Sequence, residues 1–381
     1  MRITVLTGPL LPVPAVRGGA MQKSWHGLAR EMVRAGHGVT VVARTYPGQP
    51  ARETVEGIHF LRTRGFSQGR FVVWDLMKDL GYALRTLPRL PAAEILVTND
   101  FWVPALAPRL RPSAGAVVVS AGRFPKGQYR LYRGAAQIVA ISGAVRSAIV
   151  AEQPRLESRT IVIPLPVRTK APFRLQASES RSGQKLLYAG RVHPEKGLEL
   201  LVRAFARISE RFPQWSLEIL GPTAEAEGGG GDRFLECLQT LAQGQRVRIL
   251  APVFEPAELA AVYGSADLFC YPSLAERGEA FGVAALESMV EGVPPVVSDL
   301  ACFRDFVRDG ENGWVFDHRG SAPEERLAAV LSRVMAEPAL RQKAAEVACQ
   351  TVERFSFSAV TESYLREFNR IESAERIASG R

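Results

Sequence analysis

Short, almost purely apolar segments recur along this chain and limit its fold more than any other feature. Such segments are typical of strands that are buried on both faces of a parallel sheet, because helices cover both faces. Five lie in the first half of the chain and five in the second, and helical patterns separate them: RITVLTG, GVTVVAR, EILVTND, AVVVSAG and QIVAISG, then KLLYAGRV, SLEILGP, RVRILAP, DLFCYPS and PPVVSD. The sequence therefore predicts an α/β protein with two doubly wound, Rossmann-like domains.

A segment without hydrophobic periodicity separates the two sets of strands. Residues 163–184, IPLPVRTKAPFRLQASESRSGQ, are rich in Pro, Ser and Arg, which is typical of an interdomain linker. We predict an N-terminal domain over residues 1–168, a linker over 169–184 and a C-terminal domain over 185–355. Because ligands bind at the carboxyl ends of the strands in such sheets, two domains facing each other across a cleft would share one site.

The last predicted helix is expected to return to the N-terminal domain. It covers residues from about 356 to 381, and one of its faces is apolar, with Val360, Tyr364, Phe368 and Ile371.

Composition narrows the class of protein. The chain is 46% hydrophobic, and no apolar run approaches the ~18 residues of a membrane span. The start, MRITVLTGPLLPVP, is interrupted too early by Gly and Pro for a signal peptide, so we expect a cytoplasmic protein. The four cysteines have no metal-like spacing and predict neither a disulfide framework nor a zinc site.

The net charge of +9 is concentrated in the N-terminal half. Residues 1–180 contain 25 Lys and Arg against 10 Asp and Glu, whereas residues 181–381 contain 23 against 29. Nucleic acid, an anionic lipid surface or an acidic substrate would each suit such a surface, and an ordinary solvated surface is the alternative.

Two segments of the N-terminal half combine basic and aromatic residues. In residues 71–87 the helical period puts one such face outward, with Phe71, Trp74, Lys78, Tyr82 and Arg85. The opposite face is expected to pack on the domain and contains Val73, Met77, Leu80, Leu84 and Leu87. Residues 123–134 add Arg123, Lys126, Arg130 and Arg133 among Phe124, Tyr129 and Tyr132. Ordinary amphipathic packing explains both segments equally well.

The first segment with chemical character is YAGRVHPEKG, residues 188–197. A strand ends at Gly190, Arg191 follows, and Lys196 stands at the start of an amphipathic helix. A guanidinium, an ammonium and helix-start amides at the end of a strand predict an anion site, most simply for a pyrophosphate. The alternative is that both cations pair with Glu195 and Glu199 at the surface.

The second is GEAFGVAALE, residues 278–287. It places Glu279 and Glu287 eight positions apart in an apolar segment, where carboxylates are rarely buried without a partner. We expect Gly282 to open a helix, Glu287 to lie in its second turn and Glu279 to lie just before it. This spacing suggests a ligand that runs past the helix start, and a helix-terminal charge is the alternative for Glu279.

Taken together, these segments resemble a known family. In their order and spacing, GRVHPEKG, EAFGVAALE, GVPPVVSD and DGENGWVF are similar to the C-terminal half of glycosyltransferase family 4, whose members are retaining enzymes of the GT-B fold. GGA at 18–20, AGHGVTVV, IVAISGAV and VYGSADLFCYPS extend the resemblance over most of the chain. It implies transfer of a sugar from a nucleotide diphosphate with retention at the anomeric carbon, without a metal or other cofactor. The chain contains no Asp-x-Asp triplet.

The resemblance also implies roles for individual residues. Arg191 and Lys196 would contact the diphosphate of the donor, Glu287 the ribose and Glu279 the transferred sugar. Arg191, Lys196 and Glu279 would thus be the catalytic residues. The other donor-binding positions would be Gly18, Gly19, Gly190, Phe281, Gly282 and Val283, mainly through the backbone.

In a few places the chain departs from the family pattern. A His that the family usually has near the transferred sugar is replaced by Ala121, a usual PNGVD is PLPVR at 164–168, and a usual pair of glycines is Ala301 and Cys302.

The expected donor is a UDP- or GDP-linked hexose. The expected acceptor is anionic, lipid-linked or a saccharide, as in the biosynthesis of polysaccharides, glycolipids or glycoconjugates, with the basic domain in peripheral contact with the inner face of the membrane. Two other classes of function stay open at this point. One is a sugar-nucleotide enzyme of the same fold, an epimerase or a phosphorylase, and the other is a nucleic-acid-binding protein, although no nucleic-acid motif is present and we expect no such partner.

Overall fold

The computed structural model describes residues 1–15, 19–67, 69, 71–169 and 183–379. Gly18 and most of the predicted linker lie outside these residues. The chain divides into two compact units, which we call unit 1, Met1–Pro166 with Phe357–Arg381, and unit 2, Val167–Ser356. Among the described residues, no helix combines the length and the apolar character that crossing a bilayer requires.

Unit 1 is built on an eight-stranded sheet of order β3-β4-β2-β1-β5-β6-β7-β8. Its strands are β1 (Arg2–Leu6), β2 (Gly38–Arg44), β3 (Arg52–Val55), β4 (Ile58–Thr63), β5 (Ile95–Thr98), β6 (Ala116–Ala121), β7 (Gln137–Ala140) and β8 (Thr160–Val162). Its helices are α1 (Ala20–Arg34), α2 (Val72–Thr86), α3 (Val103–Leu110), α4 (Gly143–Glu152) and the C-terminal helix α11 (Phe357–Ser379). All neighbouring strands are parallel except β3 and β4.

The C-terminal helix α11 completes the core of unit 1. The four apolar side chains of its predicted face are buried there, and the ring of Tyr364 lies 5.0 Å from that of Trp25 on α1. Burying this face against α1 explains why a helix so distant in sequence belongs to unit 1.

Unit 2 contains a six-stranded sheet of order β11-β10-β9-β12-β13-β14, parallel throughout. Its strands are β9 (Gln184–Ala189), β10 (Trp215–Leu220), β11 (Val247–Leu250), β12 (Leu268–Tyr271), β13 (Pro295–Ser298) and β14 (Trp314–Phe316). Its helices are α5 (Leu198–Ile208), α6 (Gly231–Ala242), α7 (Pro256–Gly264), α8 (Val283–Val290), α9 (Pro323–Ala336) and α10 (Pro338–Val352). The predicted fold class, two parallel-sheet α/β domains, is thus confirmed.

Helix α2 corrects the prediction of which face packs. Of the face expected to be buried, Val73, Met77 and Leu84 are exposed, and Tyr82, expected outside, is buried. The side chains that pack are Asp79, Tyr82, Ala83 and Thr86. Among them, the Tyr82 hydroxyl donates to the carbonyl of Thr7 at 3.1 Å, and Asp79 lies beside Asp100.

The contact between Asp79 and Asp100 is a pair of buried carboxyl groups. Asp100 follows β5, and its Oδ1 accepts hydrogen bonds from the backbone N–H groups of Trp102 and Val103 at 3.0 and 2.9 Å. Burial, and next the charge of Asp79, raise the pKa of Asp100 well above its usual value. Two carboxylates in one buried site cannot both be ionised at low cost, so the pair shares a proton.

This shared proton makes the stability of unit 1 depend on pH. Because the folded-state pKa of Asp100 is raised, its stabilising contribution is fully present below the unfolded value of about 3.9 and is lost as the pH rises through the folded pKa. Asp100→Asn keeps the acceptor oxygen and adds a permanent amide donor toward Asp79. We expect the melting temperature of the variant, relative to wild type, to increase steadily from about pH 4 to pH 8. Thermal unfolding at several pH values measures this difference, and a difference that does not change with pH would contradict the shared proton.

Candidate functional site

The site predicted from the sequence lies at the edge of the unit 2 sheet that is formed by the carboxyl ends of its strands. Strands β9 and β12 are parallel neighbours, so the loops that follow them leave the sheet side by side. The loop after β9 carries Arg191 and Lys196, and the loop after β12 carries Glu279 and leads into α8. Sheet topology thus brings together segments about ninety residues apart in sequence, at the edge where ligands bind in such folds.

An ion pair between Lys196 and Glu279 joins the two loops. The Nζ of Lys196 donates to Oε2 of Glu279 at 2.6 Å, and the two side chains are only 5% and 9% exposed. Burial of either charge alone would be costly, and their pairing removes much of that cost. The ammonium also lies 5.5 Å from the centre of the Tyr271 ring, within the range of a cation–π contact.

Arg191 is half exposed and pairs differently. Its Nη2 donates to Oε1 of Glu195 at 2.6 Å, and its Nη1 donates to the carbonyl of Gly228 at 2.9 Å. Arg191 therefore pairs with Glu195 at the surface, as in the alternative. Lys196 also lies 3.7 Å from Oε1 of Glu195, but its shortest contact is the buried one with Glu279. The two cations and two carboxylates form a group with no net charge.

Glu287 lies in the second turn of α8, as predicted, and Gly282 is the residue that caps this helix. Gly282 has a φ of +77°, and a Cβ there would come within 2.3 Å of the Phe303 ring, so only glycine fits. Within the part of the chain that the structure describes, no side chain caps α8, and the first turn of this helix contains no acidic residue. Its first backbone N–H groups therefore have no side-chain acceptor there and suit an anion.

The two residues beside Gly282 differ in how exposed they are to solvent. Val283, the first residue of α8, is half-buried, whereas the side chain of Phe281 is buried. Phe281 packs on Phe306 and Phe355, with ring centres 5.5 and 6.1 Å apart.

Two tyrosines that the sequence analysis did not select lie beneath the charged groups. Tyr188 and Tyr271 stack with ring centres 5.5 Å apart and planes inclined by 12°. The Tyr188 hydroxyl donates to the carbonyl of Arg191 at 2.8 Å. Burial, and next the charge of Glu279, raise the pKa of both tyrosines. Their positions near the carboxyl ends of β9 and β12 are the sequence signal that could have identified them as site residues.

Gly190 is required by this stack. A Cβ at Gly190 would lie 2.8 Å from the Tyr188 hydroxyl and 3.3 Å from the Tyr271 ring. The glycine at the end of β9 therefore lets the backbone turn over the two rings.

The remaining predicted positions lie elsewhere or beside the site. Gly19 is the capping residue of α1 in unit 1, and Ala121 is the buried last residue of β6. Cys302 is buried, and burial followed by the charge of Glu279 raises the pKa of its thiol. Among the residues that the structure describes, no group of three or more His, Cys, Asp or Glu side chains is placed to hold a metal ion.

Two family models match consecutive parts of the chain. The model of glycosyltransferase family 4 matches residues 18–171, and the model of glycosyl transferases group 1 matches residues 173–351. With its two parallel sheets, the protein also has the fold of a solved sucrose-phosphate synthase from Thermosynechococcus elongatus, with a TM-score of 0.77 and 20% sequence identity over 98% of this chain and 100% of that one.

Curated relatives match about half of the chain. Phosphatidyl-myo-inositol mannosyltransferase of Mycobacterium leprae is 32% identical over 198 residues, which are 51% of this chain and 49% of that protein. D-inositol 3-phosphate glycosyltransferase of Thermomonospora curvata is 32% identical over 192 residues, which are 49% of this chain and 43% of that protein. The chain thus spans about half the length of the curated relatives it matches.

The fold and the sheet-edge site define the protein as one of the GT-B class. Within that class, the matches to both halves of the chain show that it belongs to glycosyltransferase family 4.

The buried ion pair has a measurable effect on stability. Lys196→Met leaves the carboxylate of Glu279 buried without its partner, and we expect it to lower the free energy of unfolding by about 3–5 kcal/mol. The double variant Lys196→Met/Glu279→Gln removes the orphaned charge and is expected to be more stable than Lys196→Met alone. Chemical denaturation of Lys196→Met, Glu279→Gln and the double variant measures the effect. If the losses of the two single variants simply add, the side chains do not depend on each other.

Proposed function

We propose that this protein is a retaining, metal-independent glycosyltransferase that moves a hexose from a UDP- or GDP-linked donor to an acceptor hydroxyl. One observation carries the proposal. The loops after β9 and β12 put two cations, a buried glutamate and the uncapped start of α8 at one edge of the sheet. The family membership of the chain supports the same reaction class.

The reaction makes a specific demand on these groups. The bond between the anomeric carbon and the phosphate oxygen breaks, its electron pair stays with the diphosphate, and the acceptor oxygen forms the new bond and loses its proton. Negative charge thus grows on the diphosphate. Arg191, Lys196 and the N–H groups at the start of α8 would stabilise that charge, because preplaced donors need no reorganisation as the charge develops.

The two glutamates would bind hydroxyl groups on either side of the diphosphate. In the proposed complex Glu287 accepts hydrogen bonds from the ribose and Glu279 from the transferred sugar. Carboxylates suit this role because two oxygens can accept from neighbouring hydroxyls.

The ion pair between Lys196 and Glu279 determines the expected effect of a Glu279 substitution on diphosphate affinity. In the ligand-free protein each cation faces a carboxylate, so a diphosphate competes with Glu279 for the ammonium of Lys196. Removing the charge of Glu279 leaves Lys196 with an unbalanced positive charge. Affinity for the diphosphate should then stay equal or rise, although the sugar contact is lost.

We therefore expect substitutions of the two glutamates to affect nucleotide binding differently. With chelator present, wild type and Glu279→Gln should bind nucleotide diphosphate with similar affinity, or the variant more tightly, whereas Glu287→Gln should bind about tenfold more weakly or worse. Transfer from the intact donor should fall in both variants. Isothermal titration with UDP and GDP, beside turnover with the corresponding sugar nucleotides, makes the comparison.

Several outcomes would change the assignment. Loss of binding and transfer in chelator would show that a metal is needed. Equal losses of nucleotide affinity in both variants would return the glutamates to a structural role. Isomerisation of the sugar nucleotide without transfer would favour an epimerase, and phosphorolysis with absorbance from pyridoxal phosphate a phosphorylase.

We further propose a lipid-linked or anionic acceptor that unit 1 meets at a membrane surface. Helix α2 follows β4 in the chain and exposes an apolar surface around its start: Phe71, Val72, Val73, Trp74 and Met77. We call this the α2 patch. A monomer surface rarely exposes so many large apolar side chains together without a use for them.

Basic residues accompany the α2 patch. Lys78 and Arg85 are exposed on the same helix, and Arg123, Lys126, Arg130 and Arg133 are exposed after β6, although Tyr129 and Tyr132 of that segment are buried. Apolar side chains beside cations suit an anionic bilayer interface. The name of the Mycobacterium leprae relative, a phosphatidyl-myo-inositol mannosyltransferase, also points to a lipid acceptor.

The patch can be tested with vesicles. Phe71→Ser/Trp74→Ser should reduce co-sedimentation with vesicles of phosphatidylcholine and phosphatidylglycerol, and added salt should weaken wild-type binding because it screens the basic residues. Leu110→Ser on α3 is the control, since Leu110 is also a large exposed apolar residue, at 58% against 69% for Phe71 and 67% for Trp74, but lies outside the α2 patch. Binding that depends neither on anionic lipid nor on the patch would leave α2 without a membrane role.

A further inference from the structure

Each glutamate of the pair has a buried tyrosine of its own. Tyr263 and Tyr271 are eight residues apart, as are Glu279 and Glu287, and the contacts are nested: Tyr263 reaches Glu287 and Tyr271 reaches Glu279. Neither tyrosine was selected from the sequence. Both belong to unit 2, in which they lie in the β12 strand and in the helix just before it.

Tyr263 contacts Glu287, the second glutamate of the pair. It lies near the end of α7, is almost fully buried, and packs on Phe269 with ring centres 5.6 Å apart. Its hydroxyl donates to Oε2 of Glu287 at 3.1 Å. A buried hydroxyl that donates to a carboxylate on a neighbouring helix fixes one of the two carboxylate oxygens and, with it, the rotamer of the glutamate.

Tyr271 supports the first glutamate and its cation together. It is the last residue of β12, and its ring is held between Tyr188, stacked on it, and Phe303, whose ring meets it edge-on at 6.0 Å. The Nζ of Lys196 lies 5.5 Å from the centre of this ring, and Lys196 in turn donates to Glu279 at 2.6 Å. Burial, and next the charge of Glu279, raise the pKa of the Tyr271 hydroxyl, so this side chain lies beside both members of the buried ion pair.

We propose that Tyr263 and Tyr271 are positioning residues that hold Glu287 and Glu279, respectively, in the orientation required for the two ends of the donor. This inference rests on the proposed function, because it uses the ribose and sugar roles of the glutamates. It extends that function by assigning selectivity among sugars to the Tyr271–Glu279 pair and affinity for the nucleotide to the Tyr263–Glu287 pair.

The physical reason is that each carboxylate binds donor hydroxyl groups only when its oxygens are correctly oriented. A glutamate side chain has three rotatable bonds, and a carboxylate that samples several rotamers presents its oxygens to neighbouring hydroxyls only part of the time. A buried tyrosine loses little further freedom, since its ring is packed on several sides. Its hydroxyl thus fixes the glutamate before the donor arrives.

The test removes only the hydroxyl groups. Tyr263→Phe should weaken binding of UDP or GDP by about fivefold to tenfold and leave the turnover number at saturating donor nearly unchanged. Tyr271→Phe should leave that affinity within about twofold, lower the turnover number by about tenfold, and reduce the preference for the best sugar over its competitors. Tyr364→Phe is the matched control, because Tyr364 is also buried but lies in unit 1, where its ring packs on Trp25.

Double variants separate positioning from a general loss of stability. On a Glu279→Gln background, Tyr271→Phe should cause little further loss of transfer, and on a Glu287→Gln background Tyr263→Phe should cause little further loss of nucleotide affinity. Exchanging the backgrounds should restore the full effect of each tyrosine. A merely structural role would lower both readouts on every background.

The outcomes distinguish this inference from the proposed function. If wild type binds and transfers but both tyrosine variants behave like Tyr364→Phe, or if the two variants fail in the same way, the positioning roles are wrong and the function stands. If wild type binds neither nucleotide diphosphate nor donor, the proposed function is wrong, and the assignment of the two tyrosines to ends of a donor is wrong with it.

Discussion

A buried ion pair between Lys196 and Glu279 joins the loops that follow two neighbouring strands of unit 2, and the rest of the candidate site is arranged around it. Neither charge would be stable at this depth without the other. The pair keeps the cation at the sheet edge, holds the loop that leads into α8, and rests on the ring of Tyr271. It also balances the charge of Lys196 in the ligand-free protein, so an incoming anion must displace a carboxylate contact as well as find a cation.

Unit 1 also contains polar groups that are buried together with another polar group. Helix α2 could have buried its apolar face, as its periodicity indicates. Instead it buries Tyr82, whose hydroxyl donates to the carbonyl of Thr7, and Asp79, which lies beside the buried carboxyl group of Asp100. The apolar side chains at its start are left exposed. A surface of this kind agrees with an acceptor that reaches unit 1 from a lipid phase.

The differences between expectation and structure have physical causes. Strands β3, β4, β8 and β14 escaped notice because β3 is a largely exposed edge strand, β4 alternates buried and more exposed residues, and β8 and β14 have only three residues each. The start of α8 at Gly282 and the position of Glu287 were predictable, because glycine, helical periodicity and apolar neighbours are local signals. The pairing of Lys196 with Glu279 was not, since Glu195, whose carboxylate also lies 3.7 Å from the ammonium, and Glu199 are nearer in sequence.

The sequence by itself determined the two sheets of near-continuous apolar strands, the helix that follows the first glutamate and the family, because each depends on the order and spacing of residues along the chain. Only the tertiary structure decided which charges meet, which tyrosine supports which glutamate, and which face of α2 is exposed. These contacts join residues that are tens of positions apart, and they depend on strand order and burial. In a parallel sheet, neighbours such as β9 and β12 are set by topology rather than by distance along the chain.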